Sequence, residues 1–153
     1  MFDTVAGLPV HALVVHAVVV LLPLMSVVTV LTALLRRWRP LALWVAGADA
    51  AVFVASFAAR QSGEKLQARL TQLSGTTVAA DHGRYGSWLW LFALALVVAA
   101  LAVHLAGRRP ALLPVAIGLT VVAALGATGW TVLVGDTGAR ALWADTIKNT
   151  RAP

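Results

Sequence analysis

Four long stretches without charge dominate the chain and limit what it can fold into. Residues 4–35, 85–107 and 111–135 contain no Asp, Glu, Lys or Arg, and residues 41–59 contain only Asp49. A helix needs about 20 predominantly apolar residues to cross the hydrocarbon core of a bilayer. Each stretch reaches or nearly reaches that length. In hydrocarbon the backbone polar groups must be satisfied within the segment, so such runs cross as helices. The pattern predicts an all-α integral membrane protein, an antiparallel four-helix bundle with spans over 9–35, 41–59, 85–106 and 111–134. Four spans and their connections use nearly all of the 153 residues, which predicts a single membrane domain over 1–153.

Composition agrees. Charged residues make up 12 % of the chain and hydrophobic ones 60 %, against roughly 25 % charged in a soluble domain. The absence of cysteine excludes disulfides, thiolate nucleophiles and cysteine-ligated iron–sulfur or zinc centres. The first charge is Asp3 and no basic segment precedes the first apolar run, so that run reads as a retained span rather than a cleaved signal.

The net charge of +6 has a topological explanation and needs no nucleic acid. Arg36-Arg37-Trp38-Arg39-Pro40 joins spans one and two, and Gly107-Arg108-Arg109-Pro110 joins spans three and four. Dense arginine in short connections marks the cytoplasmic side. Both termini of this multi-pass protein are then extracytoplasmic. The opposite side has basic residues too, diluted over longer segments that also contain Glu64, Asp81, Asp136 and Asp145.

Leu66, Leu70 and Leu73 recur at helical spacing among Glu64, Lys65, Gln67 and Arg69, which predicts a short amphipathic surface helix between spans two and three. Ser74-Gly75-Thr76-Thr77 reads as a turn. Gly135-Asp136-Thr137-Gly138 is expected to break the fourth span, with Asp136 or Thr137 capping a short C-terminal helix through Trp143. The sequence shows no convincing tandem repeat; the two hairpins share only an Arg-Pro turn, which suggests two similar halves.

The candidate chemistry is histidine with carboxylate. Topology collects His11, His16, Glu64, His82 and Asp136 at the extracytoplasmic end, where such a set could ligate a metal ion. His11 and His16 are five residues apart, so on an ideal helix of about 100° per residue they point roughly 140° apart. A haem b at that end would take His82 and either His16 or His11 as axial ligands. The competing reading is interhelical hydrogen bonding by the same side chains. His104, near the other end, has no histidine at its depth. Asp49 falls in the middle of span two, where an ionised carboxylate costs at least ~2.5 kcal/mol. It reads either as a proton or cation site or as a neutral, hydrogen-bonded group that orients helices, with Ser26, Thr29 and Thr32 as candidate donors. No phosphate loop, nucleophile elbow, zinc-protease helix or dinucleotide fingerprint is present.

Gly7-Leu8-Pro9-Val10-His11 with His16, Ser62-Gly63-Glu64-Lys65-Leu66, Asp81-His82-Gly83 with Gly86, and Gly135-Asp136-Thr137-Gly138-Ala139 with Trp143 occur in an order that resembles the bacterial membrane-protein family known as domain of unknown function 2231. The resemblance covers nearly the whole chain. It implies a four-span bundle and places His11, His16, Glu64 and His82 in the family pattern. Some relatives are attached to Rieske-type iron–sulfur domains, which implies electron transfer. Ala12 stands where many relatives have proline, and Asp136 where some have histidine, a change that would alter the donor set of a site there.

Three functions follow as expectations. One is a membrane protein with a metal or haem site in a redox or accessory role, its partners being the bilayer and other membrane or electron-transfer proteins. A second is a structural or assembly subunit without cofactor. The third is a small proton- or ion-conducting protein centred on Asp49.

Overall fold

In the computed structural model, which describes residues 4–5, 7–74 and 79–150, the chain is almost wholly helical. A two-stranded antiparallel ladder of β1 (Thr4–Val5) and β2 (Leu8–Pro9) leads into α1 (Val10–Leu34). Helices α2 (Ala42–Ser74), α3 (Ala80–Gly86), α4 (Leu89–Ala106) and α5 (Leu113–Thr150) follow. Four helical stretches among the described residues are long and apolar enough to cross a membrane: Val10–Leu34, Arg39–Leu73, Ala80–Ala106 and Pro110–Trp143.

The arginine connections are tight. Proline enters the first turn of a 3-10 segment at Arg39–Leu41 and at Pro110–Leu112, where its missing N–H leaves nothing unsatisfied. Arg39 Nε donates to Ala33 O at 3.1 Å, covering one of the free carbonyls at the end of α1. The turns fold α1 on α2 and α4 on α5. The hairpins then close into a ring in which α1 also packs on α5, and α4 on α2.

The interior is built from small residues. Ala33, Ala42, Ala46, Ala93, Ala99, Ala100, Ala116 and Ala127 are buried, as are Val18, Leu22 and Leu96, and the small side chains let the backbones approach as they do in lipid. Polarity is inverted relative to a soluble bundle. Ser26, Thr29, Thr32, Asp49, Ser56, Thr120 and Thr131 are buried, while Val20, Leu24, Val122, Leu125 and Val132 are exposed along the spans. Each buried hydroxyl lies 2.7–2.9 Å from the carbonyl one turn earlier in its own helix, so the core needs no water to satisfy them.

Two expectations about the polar segments are corrected. The residues read as a separate surface helix, Leu66 to Leu73, are the uninterrupted end of α2. The Gly135–Gly138 segment does not break the fourth span, and Trp143 belongs to the same helix α5. At 1.5 Å per residue, α2 and α5 are roughly 50 and 57 Å long, against a hydrocarbon core of about 30 Å. Both therefore project from the bundle at the end where α1 begins. Ion pairs Arg60–Glu64 and Asp136–Arg140, at 2.8 and 2.7 Å, brace the helices one turn apart. Asp136 and Thr137 are interior helical residues rather than caps. The turn expected at Ser74-Gly75-Thr76-Thr77 lies, from Gly75 onward, outside the described residues.

The hairpins repeat one another in burial. Shifted along the chain by the interval from His11 to His82, the buried Val18, Leu22, Thr29 and Thr32 fall on the buried Leu89, Ala93, Ala100 and Val103. Shifted by the interval from Gly63 to Gly138, the buried Val45, Asp49, Val52, Ser56 and Ala59 fall on Thr120, Ala124, Ala127, Thr131 and Val134, all buried. None of these pairs is identical, so the repeat exists in burial and not in residue identity.

Candidate functional site

The repeat is closest where the second helices leave the bundle. His11, in the first turn of α1, has Nδ1 2.9 Å from Ala59 O on α2. His82, in α3 ahead of α4, has Nδ1 3.0 Å from Val134 O on α5. In each hairpin, then, the histidine at the start of the first half reaches a carbonyl of the second half. A carbonyl only accepts, so each Nδ1 bears the ring proton. Among the described residues nothing hydrogen-bonds to Nε2 of either ring. In the neutral imidazole that atom carries the free lone pair, the form that ligates metals.

One turn after each accepting carbonyl stands a glycine. A Cβ at Gly63 would lie 2.8 Å from His11 Cε1, and one at Gly138 would lie 2.9 Å from His82 Nδ1. Glycine inside a helix costs about 1 kcal/mol relative to alanine; here it makes room for an imidazole flat against the helix. The residue before each glycine repeats as well. Ser62 Oγ is within 3.0 Å of Ala58 O and Ala59 O, and Thr137 Oγ1 is 3.0 Å from Leu133 O and Val134 O. These back-bonds are a physical reason why the Ser-Gly and Thr-Gly pairs remain helical.

The two rings meet edge to face, with centroids 6.2 Å apart and planes at 74°. They border a cavity of about 740 Å³ between the N-terminal end of α1, the projecting parts of α2 and α5, and α3. Val15, Val18, Leu66, Leu89 and Val134 give it apolar walls. Its polar lining includes Arg60, Glu64, Gln67 and Arg84. The Arg60 guanidinium lies 6.0 Å from the centroid of the Trp90 ring and that of Arg84 5.9 Å from the centroid of Tyr85. Gln67 Nε2 is buried without a hydrogen-bond partner, an unmet donor on a residue that borders the cavity.

The expected residues separate into two groups. His11, His82 and Glu64 share the cavity, although Glu64 is exposed and paired with Arg60. His16 points elsewhere: it is exposed, and its Nδ1 bonds to Ala12 O on its own helix. This is the divergence that five-residue spacing predicts. Asp136 is exposed and paired with Arg140. Among the described residues, no three His, Asp or Glu side chains converge as a metal ion would require. Sequence reasoning missed Gly63, Gly138, Gln67, Arg60 and Arg84. The recurrence of Ser-Gly and Thr-Gly near the ends of the second and fourth spans was the signal for the glycines; the other three had none.

Asp49 Oδ2 lies 3.0 Å from the hydroxyl oxygen of one of its expected partners, Thr29. Ser26 and Thr32 instead bond to Leu22 O and Val28 O.

Fold and surface together define a four-helix membrane protein with a pocket at one end. A family model described as "Predicted membrane protein (DUF2231)" matches residues 7–151, and the chain belongs to that family. No curated protein and no solved structure matches it.

Proposed function

We propose that this protein is a single-domain membrane protein that binds haem b, that His11 and His82 would hold it, and that it serves electron transfer with membrane partners. The observation that carries the reading is the matched pair of imidazoles. One comes from each half, each is fixed through Nδ1–H to a backbone carbonyl, and each leaves Nε2 free. A hydrogen bond from the other ring nitrogen orients a metal-ligating histidine and raises its basicity.

The donor set favours a porphyrin iron over a bare ion. Zinc in a structural site takes four protein ligands, and two imidazoles supply half of that. A macrocycle brings four nitrogens of its own. The apolar walls suit its face, and Arg60, Arg84 and the unpaired Gln67 amide suit its carboxylates. Bound there, haem would supply one-electron oxidation and reduction. The chain's own part is to orient the imidazoles, shield the macrocycle from water and neutralise its acid groups. The arginine turns at the far end support an extracytoplasmic pocket in a bacterial inner membrane.

Protein purified in detergent and supplied with hemin is expected to bind it stoichiometrically and show a Soret band that the His11→Ala, His82→Ala double variant lacks. A stable protein that stays colourless after this treatment rejects the proposal. That outcome favours the second reading, a structural subunit, which the two interhelical His–carbonyl bonds support by themselves.

A further inference from the structure

The repeat isolates one polar pair that helix packing does not require. Asp49 is 1 % exposed, and the position matching it in the second half is the buried Ala124. Its partner Thr29 matches the buried Ala100. The second half keeps the same buried register with alanine at both places, so a carboxyl and a hydroxyl are not needed to bring such helices together.

The hydrogen bonds around Asp49 fix where protons can be. Thr29 Oγ1 is 2.8 Å from Met25 O and 3.0 Å from Asp49 Oδ2. A threonine hydroxyl has one proton, and the Met25 carbonyl can only accept. If the hydroxyl proton fills the shorter contact, the longer one must be filled from Asp49. Asp49 Oδ1 is buried without a partner, and among the described residues no basic side chain pairs with Asp49. An ionised carboxylate would leave half of its charge with no donor in a low-dielectric interior. A neutral acid leaves only a carbonyl oxygen unpaired.

We propose that Asp49 is a proton-binding site in the core of the first hairpin, separate from the histidine pocket. It stands as the carboxylic acid, donates from Oδ2 to Thr29 Oγ1, and Thr29 donates in turn to Met25 O. The ligand is a proton, held where no soluble base reaches without an opening of the α1–α2 hairpin.

Infrared spectroscopy of the full-length protein in bilayers at neutral pH, with carbon-13-labelled aspartate, tests this directly. The wild type is expected to show one carboxylic-acid C=O band that shifts with the label. Asp49→Asn, which keeps a polar amide beside Thr29, is expected to remove it, and Thr29→Val to move it. The wild-type spectrum decides by itself if a variant fails to fold. Absence of the band overturns the proposal, as does its survival in Asp49→Asn. An Asp49 carboxylate band that responds to sodium would show that the site holds a cation instead.

Discussion

Gly63 lies so close under the His11 imidazole that a Cβ there would meet Cε1 at 2.8 Å, and Gly138 stands in the same relation to His82. Alanine in place of a glycine inside a helix ordinarily stabilises by about 1 kcal/mol. At these two sites the ring must move, and its bond to Ala59 O or Val134 O is lost, at a cost of about 1–3 kcal/mol for a ring N–H left without a partner. Gly63→Ala and Gly138→Ala are therefore expected to lower thermal stability in detergent. Gly118→Ala and Gly129→Ala, where nothing lies within 4 Å, are expected to leave stability unchanged or raise it.

The histidines are separable by what replaces them. His11→Ala and His82→Ala are each expected to destabilise by about 0.5–1.5 kcal/mol through the lost interhelical hydrogen bond. His16→Ala, at an exposed ring bonded within its own helix, is expected to stay within about 0.5 kcal/mol. Asparagine presents an N–H close to where Nδ1–H was, but no Nε2. His11→Asn and His82→Asn are expected to recover most of the stability while abolishing hemin binding. Recovery of both properties would separate the histidines from any ligand role.

Arg60, Arg84 and Gln67 line the cavity and are expected to hold the acid groups of the bound macrocycle. An Arg60→Gln, Arg84→Gln double variant is expected to weaken hemin affinity about tenfold or more, equivalent to ~1.4 kcal/mol. Gln67→Leu, which removes an unmet buried donor, is expected to weaken hemin affinity while stabilising the ligand-free protein. Titration followed by absorbance, with thermal melts of the same samples, checks both.

The chain has no cysteine, so single introduced thiols report topology without background. A membrane-impermeant maleimide is expected to label Glu64→Cys and Asp136→Cys in intact spheroplasts. Arg37→Cys and Arg109→Cys should react only after the membrane is opened. Labelling of positions 64 and 109 from the same side would contradict the antiparallel hairpins.

The spans were legible because lipid imposes length and polarity on every residue that crosses it. The meeting of His11 and His82 at one end followed from topology alone. Other features lay outside what local pattern encodes. Gly63 and Gly138 resemble helix breakers until the imidazoles that occupy their missing side-chain space are seen. The continuity of α2 and α5 beyond the apolar run was hidden because polar residues with glycine read as loop, whereas helices that project into water can be polar. Asp136 looked like a ligand or a cap, yet its partner is Arg140 one turn away. The internal repeat escaped notice because two halves can keep one burial register with different side chains, as Asp49 against Ala124 and Ser56 against Thr131 illustrate.

The spin state of ferric haem in the reconstituted protein tests the central claim most directly, because it reports both axial ligands at once. Electron paramagnetic resonance of the wild type is expected to give a low-spin signal typical of two imidazoles, with His11→Asn and His82→Asn each shifting any haem they retain to high spin. An unchanged low-spin spectrum in either variant, or a wild type that binds no haem, would contradict the account.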